Sequence, residues 1–230
     1  GKQKLNENEI EDLISEIKKK RLNGINVTVP FKKTVIPYLD QLTLEAENTQ
    51  SVNTIYLDND KTIGHNTDIA GFELSFKNSK LDIAGKKTLI LGAGGVVPSI
   101  IYALNNMKVS EITLSNRTKN RAESLREFFK NIKIVDWGEI PEFDIIINAT
   151  SVGLNKDDQI DLNFSKVGKN KFFYDVIYNP KETNFLKIGK KLGNKSENGK
   201  LMFIYQAFAA FKVWHGIEPE INNEVIKLLD

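Results

Sequence analysis

In GINVTVPFKK, residues 24–33, polar side chains gather along one exit of an apolar strand. Valines alternate with Asn26 and Thr28, the period of two of a half-buried strand. That alternation predicts Val27 and Val29 turned into a core and Asn26 and Thr28 turned the other way. Pro30 and Phe31 follow, then Lys32. An amide, a hydroxyl and an ammonium in this order suit a polyhydroxylated or carboxylated small molecule, and they would also suit an ordinary solvent face. The chemistry open to them is acid–base work at a hydroxyl or carbonyl. An ammonium within hydrogen-bond reach can protonate a forming alkoxide or stabilise it as an oxyanion.

A second constellation is Gly92-Ala93-Gly94-Gly95, directly after the short apolar run TLIL. A glycine turn between a buried strand and a helix lets a pyrophosphate approach the backbone and face the helix N-terminus. The third glycine of G-x-G-x-x-G is absent. Val97 stands there, with Pro98 next, which a first helical turn accepts. A structural turn would also use such glycines. Roughly 20 residues further on, NAD-binding units place a carboxylate for the ribose 2′-hydroxyl. Here EITLS runs into Asn116-Arg117-Thr118, with Arg121 one helical turn later. Two forked guanidinium groups and a hydroxyl match a 2′-phosphate, which favours NADP over NAD. Arginines on a solvated helix start are the plainer alternative.

These groups need elements to hold them. Residues 8–22 predict an amphipathic helix with Ile10, Leu13, Ile14 and Ile17 on one stripe, an Asn8–Glu11 capping box and a stop at Gly24. After the strand, a helix is expected around 35–42. SVNTIYLDNDKTIGHN predicts a β-hairpin turning at Asp58-Asn59-Asp60, and residues 68–78 a helix. From Thr88 short apolar strands alternate with helical patterns: TLIL and a helix to about Met107, EITLS and a helix to about Asn131, then IKIVDW, DIIINAT and FFYDVIY. That is the texture of βαβ units and a parallel sheet. NKSENGK is expected to be a loop, and a helix follows from Leu201 to Trp214-His215-Gly216. Phe203, Phe208, Phe211 and Trp214 on it are expected to be core. His65 is expected as a hairpin residue and His215 as helix-end packing, neither amid metal ligands.

The 230-residue chain has 40% apolar and 27% charged residues, room for one large or two modest cores. Lys plus Arg at 32 against Asp plus Glu at 30 leaves no field that draws nucleic acid. The absence of cysteine removes disulfides and thiolate metal sites. No uncharged apolar run is long enough for a membrane span. A soluble, cytoplasmic protein acting on a small molecule, without nucleic-acid or membrane partners, is the expectation.

With NVTVPFK, SVNT, GHNTD, GAGG, NRT-x-x-R, NAT and YDVIY in this order, the chain resembles the shikimate dehydrogenase family from about Gly24 to its end. The resemblance implies an α/β protein of two domains. One is a substrate-binding domain from residues 1–69 with 202–230. The other, residues 70–201, is a Rossmann-type NADP-binding domain with a parallel sheet. It also implies NADPH-dependent reduction of 3-dehydroshikimate to shikimate, a step toward the aromatic amino acids and chorismate. By position, Lys32 and Asp68 match the family's catalytic pair, and Asn26, Thr28, Asn53, Tyr178 and Gln206 its substrate-binding residues. Gly92, Ala93, Gly94 and Gly95 match the phosphate turn, and Asn116, Arg117, Thr118 and Arg121 the 2′-phosphate site. Asn148, Ala149 and Thr150 fall at a strand end beside the cofactor, and Gly199 near the nicotinamide. Asp68 is also expected to cap its helix. A homodimer is carried as the expected assembly. The family's Ser-x-Ser motif for the substrate carboxylate has no match here, Ser15 being the only serine before Gly24, so an open sheet edge and an incomplete carboxylate subsite are expected. Two other functions stay open: a quinate/shikimate dehydrogenase of relaxed specificity, and a non-catalytic NADP-binding homologue.

Overall fold

A computed structural model describes Gly1 and residues 3–229. Its elements in chain order are α1 Ile10–Lys18, β1 Gly24–Asn26, β2 Gln41–Leu42, α2 Leu44–Thr49, β3 Thr54–Asp58, β4 Lys61–His65 and α3 Thr67–Asn78. Then come β5 Lys87–Leu91, α4 Val97–Asn106, β6 Glu111–Ser115, α5 Lys119–Ser124, β7 Ile132–Val135, β8 Ile145–Asn148 and β9 Phe172–Asp175. The last are α6 Asn184–Lys191, β10 Lys195–Asn198, α7 Lys200–His215 and α8 Asn223–Lys227. No helix among the described residues is long and apolar enough to cross a membrane.

The first sheet is mixed, in the order β1-β3-β4-β2. The β3–β4 hairpin pairs Thr54 with His65 and Asp58 with Lys61. Asn59 and Asp60 both take positive φ at its tip, as a two-residue turn matched to strand twist requires of Asn and Asp. On the other edge β1 pairs antiparallel with β3, Asn26 opposite Thr54. Ile10, Ile14 and Ile17 of α1 are buried against this sheet with Val35, Val52 and Ile55.

The second sheet is parallel and six-stranded, in the order β10-β9-β8-β5-β6-β7. Counted from β5 this is the doubly wound arrangement, and the strand order reverses between β5 and β8, where ligands of such sheets bind. Leu89, Ile90 and Leu91 of β5 and Ile146 and Ile147 of β8 have no exposed surface. Helices cover both faces, so these strands read as apolar runs instead of alternations.

Two helices tie the sheets together. α3 leaves β4 and leads toward β5, burying Phe72 and Phe76 against Phe172 and Tyr174 of the second sheet. α7 follows β10 and returns to the first sheet, where the Trp214 indole N–H donates to the Ile55 carbonyl at 3.1 Å.

Several local expectations are corrected. The capping carboxylate at the first helix is Glu9, which accepts the Asn6 N–H at 2.6 Å, not the Asn8–Glu11 pair. Residues 35–42 form a 3-10 turn at Ile36–Tyr38 and then β2, because Asp40 accepts both the N–H and hydroxyl of Thr62 and draws the chain alongside β4. The helix expected up to Asn131 is only α5 and a 3-10 turn at Leu125–Glu127. NKSENGK is mostly strand: β10 pairs parallel with β9, Lys195 opposite Phe172. It is an edge strand half open to solvent, so it carries no apolar pattern.

Candidate active site

Regular pairing stops at Asn26. Val27 N–H still reaches the Asn53 carbonyl at 2.8 Å, and then Phe31 N–H closes a turn onto the Thr28 carbonyl at 2.9 Å. The turn breaks the alternation, so Val27 is buried while Val29 is 67% exposed, contrary to the expected inward Val29. It also turns Lys32 back under the sheet, where its carbonyl accepts the Val52 N–H at 2.8 Å.

Lys32 Nζ lies 2.5 Å from Asp68 Oδ2, and the two side chains are only 14% and 9% exposed. Asp68 Oδ1 accepts the Asn53 amide at 2.9 Å. Both carboxylate oxygens are thus engaged, as a buried charge requires. Asn53 is held in turn by Thr67, whose N–H donates to its Oδ1 at 2.8 Å, and by the Thr54 hydroxyl at 3.1 Å. Asn26 Nδ2 reaches the Asn53 carbonyl and Thr54 Oγ1, both at 3.1 Å. Asp68 does not cap α3. Asn66 does, accepting the Asp68 N–H at 3.1 Å, and this leaves the Asp68 carboxylate free for Lys32.

The pair opens into a cavity of about 620 Å³ between the sheets. Every residue expected at the substrate lines it: Asn26, Thr28, Lys32, Asn53, Asp68, Tyr178 and Gln206. Gly199 lines it as well, and a Cβ there would stand 2.2 Å from the Val176 carbonyl, so only glycine lets α7 start this close to β9. The opposite wall is apolar, with Val96, Val176, Met202, Phe203 and Ala207. Sequence reasoning missed this wall. Phe203 is no core residue: it is 39% exposed and stacks on Tyr178 with centroids 4.5 Å apart. The available signal was the 3-4 spacing that puts Met202, Phe203 and Ala207 on one helix face with Gln206, the residue expected at the substrate, whereas Phe203 was expected in the core. His65 and His215 stand where expected, at the end of β4 and against Phe211.

The glycine turn lies at the C-terminal end of β5. Gly92 takes φ of 112°, and a Cβ on it would meet the Ala149 carbonyl at 2.8 Å. Gly94 and Gly95 present bare, exposed backbone, and no side chain caps the first turn of α4. A pyrophosphate fits such a turn: the helix N–H groups have no intrahelical acceptor and carry the positive end of the dipole. Ala149 and Thr150 flank Gly92, but the Asn148 amide is spent internally, on Thr150, the Val152 carbonyl and Asp175. At the end of β6, Arg117, Thr118 and Arg121 are exposed, and neither arginine enters an ion pair among the described residues. Asn116 donates to the Thr118 carbonyl at 2.7 Å. Guanidinium groups with no ion-pair partner among the described residues fit a 2′-phosphate, while the nearby Asp136 carboxylate is taken up by Lys119.

Asp175, at the end of β9, is fully buried, and burial pushes its carboxyl up to about 6 against opposing hydrogen bonds from Thr183, the Ile177 N–H and Asn148.

The family described as "Shikimate dehydrogenase substrate binding domain" matches residues 2–55, and "Shikimate / quinate 5-dehydrogenase" matches residues 73–182. A shikimate dehydrogenase (NADP(+)) of Pelagibacter ubique is 57% identical over 226 residues, 98% of this chain and 85% of that protein. The crystal structure of a shikimate 5-dehydrogenase from Listeria monocytogenes in complex with shikimate and NAD superposes with a TM-score of 0.89 at 30% identity, covering 99% of this chain and 84% of that one. The shikimate 5-dehydrogenase of Thermus thermophilus, in complex with NADP(H) and shikimate, gives a TM-score of 0.85 at 29% identity over 95% and 82% of the two chains. On this sequence identity, coverage and shared fold, the chain belongs to the shikimate dehydrogenase family.

Proposed function

We propose that this chain catalyses the reversible reduction of 3-dehydroshikimate to shikimate with NADPH. The observation that carries the reading is the Lys32–Asp68 pair, a buried ion pair opening into a cavity with one polar and one apolar wall beside the glycine turn.

Gly92–Gly95 with the start of α4 would hold the cofactor's pyrophosphate. Arg117 and Arg121, with Asn116 and Thr118, would hold its 2′-phosphate, and Ala149 and Thr150 the wall beside it. Bound there, NADPH supplies a hydride to the carbonyl carbon. The chain supplies the proton and the orientation. Lys32 donates a proton to the oxygen that becomes the alcohol, and in oxidation it takes one back. Asp68 fixes the Lys32 ammonium within reach of that oxygen, and Asn53 fixes Asp68. Asn26, Thr28, Tyr178 and Gln206 offer donors and acceptors to neighbouring ring hydroxyls, and Asn53, expected beside them, would have to release Thr67 or Asp68 to do the same. The Phe203–Met202 wall keeps water from the reacting carbon. This reading divides the chain into a substrate-binding domain, 1–69 with 202–230, and an NADP-binding domain, 70–201. A cytoplasmic homodimer belongs to it too, and light scattering would read twice the 26.0 kDa chain mass.

The family description names quinate beside shikimate, so both are assayed. NADPH formation is followed with shikimate or quinate, each with NADP or NAD. Turnover greatest with shikimate and NADP supports the proposal. Equal use of quinate makes this a dehydrogenase of relaxed specificity. NADP binding without any turnover would leave only a non-catalytic homologue.

A further inference from the structure

Asn66 does more than cap α3. Its Nδ2 donates to Thr49 Oγ1 at 3.0 Å and to Ser99 Oγ at 2.9 Å, while the Ser99 hydroxyl donates back to Asn66 Oδ1 at 3.3 Å. The same Oδ1 accepts the Asp68 N–H. Asn66 is 1% exposed and Ser99 0%, so no water competes for these bonds. Thr49 ends α2 beside the first sheet, Asp68 opens α3, and Ser99 lies in the first turn of α4, the helix whose start faces the glycine turn. One buried amide therefore joins the helix that meets the phosphates to the turn that carries Asp68.

We propose that Ser99 is a positioning residue which, through Asn66, couples nucleotide occupancy of the Gly92–Gly95 turn to the geometry of the Lys32–Asp68 pair. The inference rests on the nucleotide and substrate reading above. A phosphate drawn against the start of α4 bears on the helix as a rigid rod. Ser99 is within its first turn, and its single Oγ hydrogen-bonds both polar atoms of the Asn66 side chain, so a displacement there reaches the Asn66 amide directly. Asn66 cannot shift without moving the Asp68 backbone, and Asp68 carries Lys32 with it. Cofactor binding in this way presets the proton-donating pair for substrate, and substrate, by the reciprocity of linkage, tightens cofactor binding. The other side-chain contacts of the catalytic pair, through Asn53, Thr54 and Thr67, stay on the substrate side.

NADPH and shikimate are both reduced partners and do not react, so their mutual effect can be measured at equilibrium. The dissociation constant of NADPH is determined alone and with saturating shikimate, and that of shikimate alone and with saturating NADPH. In the wild-type chain each ligand is expected to tighten the other by at least ~5-fold, the low end of typical site–site coupling. Ser99→Ala should bring that factor close to one while each ligand alone binds within about twofold of wild type. Ser99→Thr, which keeps the hydroxyl, should restore it. A merely structural role for Ser99 would lower thermal stability and leave the coupling factor alone. Coupling of wild-type size in Ser99→Ala, or none in the wild-type chain, overturns the inference while both ligands still bind. Failure of the wild-type chain to bind either ligand alone would overturn the functional reading, and this inference with it.

Discussion

Replacing Lys32 by methionine separates the two consequences of the buried pair. Methionine keeps much of the side-chain volume and removes the charge. Asp68, 9% exposed, then retains only the Asn53 amide as a side-chain partner among the described residues. Breaking a buried ion pair by removing one member costs about 3 kcal/mol. For a chain of this length that lowers Tm by roughly 6–12 °C. Losing the proton donor lowers kcat by about 10²- to 10⁴-fold. The NADP turn is on the other sheet, so the dissociation constant for NADP should stay within about twofold. The double variant Lys32→Met with Asp68→Asn removes the stranded charge. It should recover most of the lost Tm, since a neutral amide can use Asn53 without a counter-charge, and should recover none of the turnover. The assays are NADPH formation from shikimate at saturating substrate, thermal melting and an NADP titration. If Lys32→Met turned over within about threefold of wild type, the proton-transfer role of Lys32 would be refuted.

Arg117→Ala should raise the KM for NADP by roughly 10- to 100-fold, the worth of a charge-assisted hydrogen bond to phosphate, and leave that for NAD little changed; an unaltered NADP/NAD preference would show the guanidinium to be ordinary surface. Phe203→Leu removes the ring stacked on Tyr178 and should raise the KM for shikimate by roughly 2- to 10-fold, the range of one aromatic contact, with NADP affinity intact. Asp175 titrates in the folded protein at about 6, above its ordinary 3.8, so the folded state holds the proton more tightly. Its contribution is favourable below about pH 4 and is lost as pH rises through about 6, by ~3 kcal/mol in all. Asp175→Asn should erase that slope between pH 4 and 6 in urea melts, and an unchanged slope would place the titration elsewhere.

The parallel sheet was legible because its strands are buried on both faces and read as apolar runs such as TLIL and DIII. The hairpin at Asp58-Asn59-Asp60 was legible because its turn demands residues that tolerate positive φ. β10 was not: an edge strand buries too little to carry a pattern, and only its pairing with β9 makes KSEN a strand. α6 was not assigned either, lying in a lysine-rich stretch whose apolar face is Phe185 and Leu186. In the site, motif order brought Lys32, Asp68 and Asn53 to notice. Spacing could not reveal that Asn66 rather than Asp68 caps α3, because both are good capping residues and only the folded turn decides. The apolar wall stayed hidden for a related reason. A phenylalanine facing a cleft and one facing a core occupy the same helical stripe, and Phe203 is distinguished only in the fold, by its exposure to the cavity and its contact with Tyr178.

The cavity holding Lys32 and Asp68 reduces a carbonyl of 3-dehydroshikimate at the expense of NADPH in the function proposed above. The most direct test incubates the chain with both and follows NADPH absorbance and the product by NMR. One shikimate is expected for each NADPH consumed, at a rate lowered about 10²- to 10⁴-fold by Lys32→Met. NADPH bound but not consumed, or consumed without shikimate appearing, would contradict it.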